Sequence, residues 1–220
     1  MKREFLCCVG AFLCANAGLR GGPALGSATS LNIIPTADVL PVGTGNLGFQ
    51  YEDVTPPYGD EFADQAQSQF GVPLAEPGSV ETGLDTSTRT IGWWWNIKWR
   101  FFTEGKLRPA TAIGVQNVGT GDDPQPYLVA FKHVTHGYRL HFGIIKSIYR
   151  WRHMFGLDGP IGSITTFMAD YTSGPRNFAT VGVNVMLPYN LQLNPALLIG
   201  NDRQAGTGYQ ICLSWQGVLW

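Results

Sequence analysis

The stretch Arg89–Phe102, RTIGWWWNIKWRFF, decides the fold class because its apolar residues recur at every second position. Ile91, Trp93, Trp95, Ile97, Trp99 and Phe101 share one side, and Thr90, Gly92, Trp94, Asn96, Lys98 and Arg100 share the other. Side chains of a β-strand point alternately to its two faces, whereas a helix would scatter these aromatics around its circumference. The stretch therefore reads as one strand with an aromatic face and a mixed, charge-bearing face.

The same period continues along the chain in both directions. Leu47, Phe49 and Tyr51 oppose Asn46, Gly48, Gln50 and Glu52; Tyr138, Leu140, Phe142 and Ile144 oppose Arg139, His141 and Gly143. Near the end, Tyr209, Ile211, Leu213 and Trp215 oppose Gln210, Cys212, Ser214 and Gln216. Turn-forming residues between such runs divide the chain into twelve strands, at about 45–54, 67–74, 79–86, 89–102, 107–118, 125–135, 137–148, 152–158, 163–172, 177–187, 190–201 and 207–217. The shortest, 67–74 and 152–158, carry the weakest pattern, and without them the count is ten. The expected fold is all-β: a single antiparallel up-and-down transmembrane β-barrel, with residues 45–220 as its body.

Composition supports a barrel in lipid over one in water. Charged residues make up only 14% of the 220 residues, against about 25% in ordinary soluble domains. The net charge of −1 offers no electrostatic footprint for nucleic acid. The chain begins with basic Lys2 and Arg3, an apolar run Phe5–Cys14 and the small-residue site Ala15-Asn16-Ala17, the pattern of an export signal ending at residue 17, or as late as 28. Cys7, Cys8 and Cys14 fall in that signal, so Cys212 is left without an internal disulfide partner. Beyond the signal no apolar run approaches the about 18 residues of a membrane-crossing helix. Only a closed barrel could then satisfy the backbone in lipid. The segment 29–44, with Pro35 and Pro41, reads either as a periplasmic lead-in or as a plug.

Parity predicts which face meets lipid. The polar side carries Glu52, Glu81, Asp85, Lys98, Arg100, Arg108, Lys132, Arg139, His141, Asp158 and Asp170, which are expected to line the lumen, with Arg152 beside them. The apolar side carries charge only near strand ends, at Asp53, Arg89 and Lys146. It also carries Trp93, Trp95, Trp99, Tyr138, Tyr171, Tyr209 and Trp215, candidates for the aromatic girdles at the membrane interfaces, and Tyr51 and Tyr127 on the same parity. A secreted soluble barrel binding an apolar ligand would bury that aromatic stripe instead.

The end of the chain, Gly208-Tyr209-Gln210-Ile211-Cys212-Leu213 and the terminal Trp220, resembles the closing strand of bacterial outer-membrane β-barrels. That resemblance implies an outer-membrane location, outer-membrane lipid around the barrel, and recognition by the barrel-assembly machinery. Leu31–Gly45, Glu81–Leu84, Lys106–Val118 and Tyr127–Lys132 resemble, in order, segments of the barrels associated with exopolysaccharide production and export. They imply an accessory role in such export.

No enzyme is expected. His133, His136, His141 and His153 lack a metal-ligand spacing, and Ser163, Ser173 and Ser214 lack a nucleophile motif, so neither metal nor cofactor is called for. The lumenal charges have two readings. They line a narrow porin-like passage for a small solute, or they pair into a network that fills a non-conducting scaffold.

Overall fold

The computed structural model describes residues 29–55, 61–75, 78–87, 93–119, 124–147, 150–203 and 205–219. The export signal, Arg89, the loop tip 121–123 and Trp220 lie outside them. Twelve strands follow in order: β1 (Thr44–Thr55), β2 (Glu61–Ala75), β3 (Gly78–Ser87), β4 (Trp94–Phe102), β5 (Ala110–Gly119), β6 (Gln125–His133), β7 (Arg139–Ser147), β8 (Arg150–Pro160), β9 (Thr165–Thr172), β10 (Phe178–Leu187), β11 (Leu191–Gly200) and β12 (Thr207–Val218). Each pairs antiparallel with its sequence neighbours, and β1 pairs with β12 from Thr44↔Val218 to Thr55↔Thr207, closing the barrel. No helix among the described residues is long and apolar enough to cross a membrane.

The count is twelve, not ten, because both weakly patterned strands are longer than they read. Glu61–Ala66 has a loop-like composition, yet its backbone ladders onto β1 from Val54↔Glu61 to Phe49↔Ala66. Strand β8 runs from Arg150 to Pro160, paired to β7 along most of its length. Backbone pairing set by the neighbouring strand overrides local composition at both places.

Alternation places the apolar side outward. Trp95, Trp99, Phe142, Phe155, Leu197 and Ile211 are among the exposed residues, with Phe155 54% accessible, while their strand neighbours Asn96, Lys98, His141, Met154, Ala196 and Gln210 are buried inside. A continuous apolar belt of this kind is far larger than the patches that water-soluble monomers show. A soluble barrel would turn this face inward, so the outward belt argues against that alternative.

The interior is itself divided. Across the β5–β6 ladder, Ala110, Ala112 and Gly114 stand opposite Phe131, Val129 and Tyr127, and all but Gly114 are buried. These large side chains point inward, and Tyr127, expected on the lipid side, is only 2% exposed. The inversion follows from the register: Gly114 has no Cβ, and an added one would stand 2.4 Å from the Tyr127 hydroxyl oxygen. One wall of the lumen is therefore apolar.

A polar clamp lies at the end of the barrel where β1 begins and β12 ends. Glu104, between β4 and β5, accepts from the backbone N–H of His133 at 3.0 Å and pairs with Lys132 Nζ at 2.9 Å, and its other oxygen meets His133 Nδ1. Burial raises the Glu104 carboxyl, but the His133 and Lys132 hydrogen bonds outweigh it and hold the group at about 2, below the ordinary 4.5. A depressed carboxylate contributes stability above its ordinary range and loses it as pH falls through the folded value. NMR titration is expected to show Glu104 ionised at pH 4 with a midpoint near 2, and an ordinary midpoint would break the clamp assignment. On the outward belt, Phe142→Arg is expected to cost about 2–4 kcal/mol, the usual price near the bilayer midplane. Urea unfolding from liposomes measures it, and an unchanged midpoint would contradict the outward placement.

Candidate functional site

The candidate site is the barrel lumen, and the segment Thr29–Leu40 occupies much of it. Leu31, Asn32, Ile34, Thr36, Ala37, Val39 and Leu40 are all buried. The segment doubles back on itself: Leu31 N–H donates to Ile34 C=O, Thr36 N–H donates to Thr29 C=O, and Ser30 bridges Pro35. Prolines at 35 and 41 suit a chain that carries no regular ladder here. Of its apolar side chains, Leu31, Ile34 and Ala37 pack on the apolar wall with Ala112, Val129, Phe131, Met154 and Met168. Strand β8 accommodates them with Gly156, where an added Cβ would stand 2.4 Å from Leu31 Cδ1.

The polar groups of the same segment bond to side chains of β9, β10 and β12. Ile33 N–H donates to Asp170 Oδ2 at 3.0 Å, and the Thr180 hydroxyl donates to Asp170 Oδ1 at 2.7 Å. Asn32 Nδ2 donates to the Thr180 hydroxyl at 2.8 Å, and Gln210 Nε2 donates to Asn32 C=O at 3.0 Å. A buried backbone amide or carbonyl without a partner would be costly, so these side chains carry the bonds that a ladder supplies elsewhere.

Two ion-paired clusters hold the ends of the segment. Lys98 on β4 and Glu81 on β3, each 1% exposed, pair at 3.3 Å. Lys98 Nζ also donates to Thr29 C=O at 3.2 Å, and Leu40 N–H donates to Glu81 Oε2 at 3.0 Å. Across the lumen, Arg139 grips Asp158 through Nε at 3.0 Å and through Nη2, and grips Asp38 of the segment through Nη1 at 2.7 Å. His141 Nε2 lies 2.9 Å from Asp158 Oδ1, and the Arg139 guanidinium stacks over Phe131 at 4.9 Å. One guanidinium thus bridges two carboxylates, one from the wall and one from the segment.

Most of the other charges expected in the lumen also face it. Asp85 accepts from Asn96 Nδ2, and Asn96 Oδ1 accepts from Asn117 N–H at 3.0 Å. Glu52 accepts from Gln50 Nε2, and Arg100 stands in register with buried Ala112. Arg152 donates through Nη1 to Pro175 C=O at 2.9 Å, at the far end.

Two residues are misplaced by the sequence reading. Arg108 precedes β5, whose first residue is Ala110, and it lies exposed with its guanidinium over the Phe102 ring at 4.7 Å. Lys132 stands in register with exposed Leu140, on the outward face, and bonds to Glu104 and the carbonyl of Gly105. The cause at Lys132 is the inverted wall: β6 turns Tyr127, Val129 and Phe131 inward, so the alternate positions Leu128, Ala130 and Lys132 face out. Of the aromatics expected at the interfaces, Trp93, Trp95, Trp99, Tyr171 and Tyr209 are exposed, and Tyr138 and Trp215 are half-buried. Sequence reasoning missed the amides Asn32, Asn194 and Gln210, which join the segment to β11 and β12. The excess of amides on the inward parity of β11 and β12 was the available signal.

No family model matches the chain, and no curated protein matches it in sequence. Solved structures do match in shape. A structure titled "KdgM porin" superposes with a TM-score of 0.55 at 10% identity, covering 77% of this chain and 98% of that one. A "KdgM porin in complex with disordered oligogalacturonate" gives 0.56 at 9%, with the same coverage. A NanC porin gives 0.50 at 9%, covering 78% and 98%. The chain therefore shares the fold of these porins, and its resemblance to bacterial outer-membrane β-barrels holds at the level of architecture.

Removing the Glu81 carboxylate tests the buried cluster. Glu81→Gln is expected to cost about 3–5 kcal/mol, because a buried ammonium loses its close countercharge. Glu81→Gln with Lys98→Met is expected to regain most of that loss. Denaturant unfolding of the three proteins measures it, and equal stabilities for the single and double variants would refute the pairing as the cause.

Proposed function

We propose that this chain is a bacterial outer-membrane barrel of porin-like form, shut in its resting state by its own segment Thr29–Leu40. It is a conduit for a small solute only when that segment moves. The observation that carries this reading is the seat of the segment: it stands inside the lumen, joined to β3, β4, β7, β9, β10 and β12 by side chains of those strands. The outward apolar belt supports a membrane location, and the porin fold supports a transport role for the barrel. In this reading the closing-strand pattern of β12, which joins β1 and β11, also serves recognition by the assembly machinery.

The seat is built from bonds a chain can release. Apart from the apolar packing of Leu31, Ile34 and Ala37, it rests on single hydrogen bonds and on two ion-paired clusters. A second reading has its own observation. The segment fills the barrel with both apolar and ion-paired contacts, as a permanent filler would, and such a barrel would serve as an accessory to polysaccharide export without conducting.

Single-channel recording in planar bilayers separates the two. The full-length protein is expected to be silent or to open rarely, and deletion of 29–40 to give stable unitary steps severalfold larger. Ile33→Pro, which removes the N–H donated to Asp170, is expected to raise opening frequency with the chain otherwise intact. Silence of both variants, in protein that still shows heat-modifiable barrel migration, would overturn the conduit reading in favour of the filled scaffold.

A further inference from the structure

Beside the lumenal segment an open-mouthed cavity remains, bounded by Ser30–Asn32 on one side and by β1 and β9 to β12 on the other. Its hydrogen-bonding lining comes from Asn46, Gln50, Asn184, Gln192, Asn194 and Ser214. It lies toward the end of the barrel where β1 begins and β12 ends: Asn46 is near the start of β1, and Gln192 stands in register with Ser214 near the end of β12. None of the described residues that line it is charged, although Lys98, Glu81, Arg139, Asp38 and Asp158 all occupy the same barrel. Most charges are gathered at the two clusters. Glu52, which accepts from Gln50, and Asp170, which accepts from Ile33 and Thr180, are on the same strands but do not line the cavity. Its polar lining is left to amides and hydroxyls.

From this lining we infer that the cavity is a binding site for an uncharged polyhydroxylated solute of the neutral saccharide class. The inference rests on the conduit reading, in which the site is a station on the route through the lumen. A carboxamide offers donors and an acceptor together, and a hydroxyl does the same, so a wall of amides complements a row of hydroxyls in either sense. A carboxylate ligand would give up its hydration here without meeting a cation among the described lining residues.

One acceptor among the lining side chains has no partner of its own. Asn184 Nδ2 donates to Gln192 Oε1 at 3.1 Å, but the buried Asn184 Oδ1 accepts from nothing. A buried acceptor without a partner gains from any donor its side chain can turn toward, and a sugar hydroxyl in the cavity supplies one. Leu31 and Met168 add an apolar patch to the same cavity, suited to the C–H face of a pyranose ring.

Isothermal titration calorimetry on the full-length protein, in a zwitterionic detergent free of sugar headgroups, tests the site with maltotriose and with trigalacturonate. Maltotriose is expected to bind saturably and trigalacturonate not to. Asn184→Ala is expected to weaken maltotriose binding about tenfold, the worth of one or two neutral hydrogen bonds. Ser214→Ala, a smaller change on β12, is expected to weaken it less while leaving heat-modifiable migration intact. No saturable maltotriose binding, tighter binding of the acidic sugar, or affinities untouched by both substitutions would each overturn the inference. Binding and conduction are read separately. Saturable binding by a barrel whose segment-deleted form stays silent would remove the conduit reading and leave the site, whereas conduction without binding would remove the site alone.

Discussion

Every backbone N–H and C=O in the body of this barrel must find its partner on a neighbouring strand, because the outward face offers none. Hydrocarbon cannot hydrogen-bond a peptide group, so an open sheet edge in lipid is not sustainable. The β1–β12 ladder, running from Thr44↔Val218 to Thr55↔Thr207, removes the last edge. Once that closure is imposed, each strand has an inside and an outside, and the alternation of Trp95 with Asn96 or of Ile211 with Gln210 becomes a statement about lipid and lumen. The same demand accounts for the loop-like sequence of Glu61–Ala66 running as strand, since β1 needs a partner along that length.

Closure leaves a lumen that must be filled or wetted, and this chain fills much of it with its own residues. The two walls meet the segment Thr29–Leu40 by different physics. Its apolar side chains pack on the wall of β5, β6 and their neighbours, where small residues on one strand face large ones on the next. Its backbone and polar side chains bond to Asp170, Thr180, Gln210, Glu81 and Lys98. Charges at Glu81, Lys98, Arg139 and Asp158 are thereby compensated among themselves and by the segment. Their desolvation is offset by close pairing rather than by an aqueous channel.

The barrel class was legible because it depends on a local pattern. A period of two survives without any knowledge of partners, and charges absent from one parity identify the lipid side. Twelve segments with turns between them could be counted, and Glu81, Asp85, Lys98, Arg139, His141, Asp158 and Asp170 could be assigned to the inner parity. What misled was the assumption that the polar side of each strand is the inner side. Tyr127, Val129 and Phe131 break it by facing inward, because the interior next to Leu31 and Ile34 is apolar, and Lys132, on the alternate positions of the same strand, is thereby turned outward. Arg108 was misassigned because β5 begins at Ala110, a boundary that pairing with β6 decides.

By itself, then, the sequence determined an antiparallel barrel with an aromatic, uncharged outer belt, since side-chain alternation and the cost of charge in lipid both act strand by strand. Whether residues 29–44 hang below the barrel or enter it was not written in their composition. Only the tertiary structure places Leu40 N–H on Glu81, Ile33 N–H on Asp170, and Asp38 on Arg139. Those contacts join residues 41, 137 and 101 positions apart, and they exist only because closure brings distant strands around one lumen.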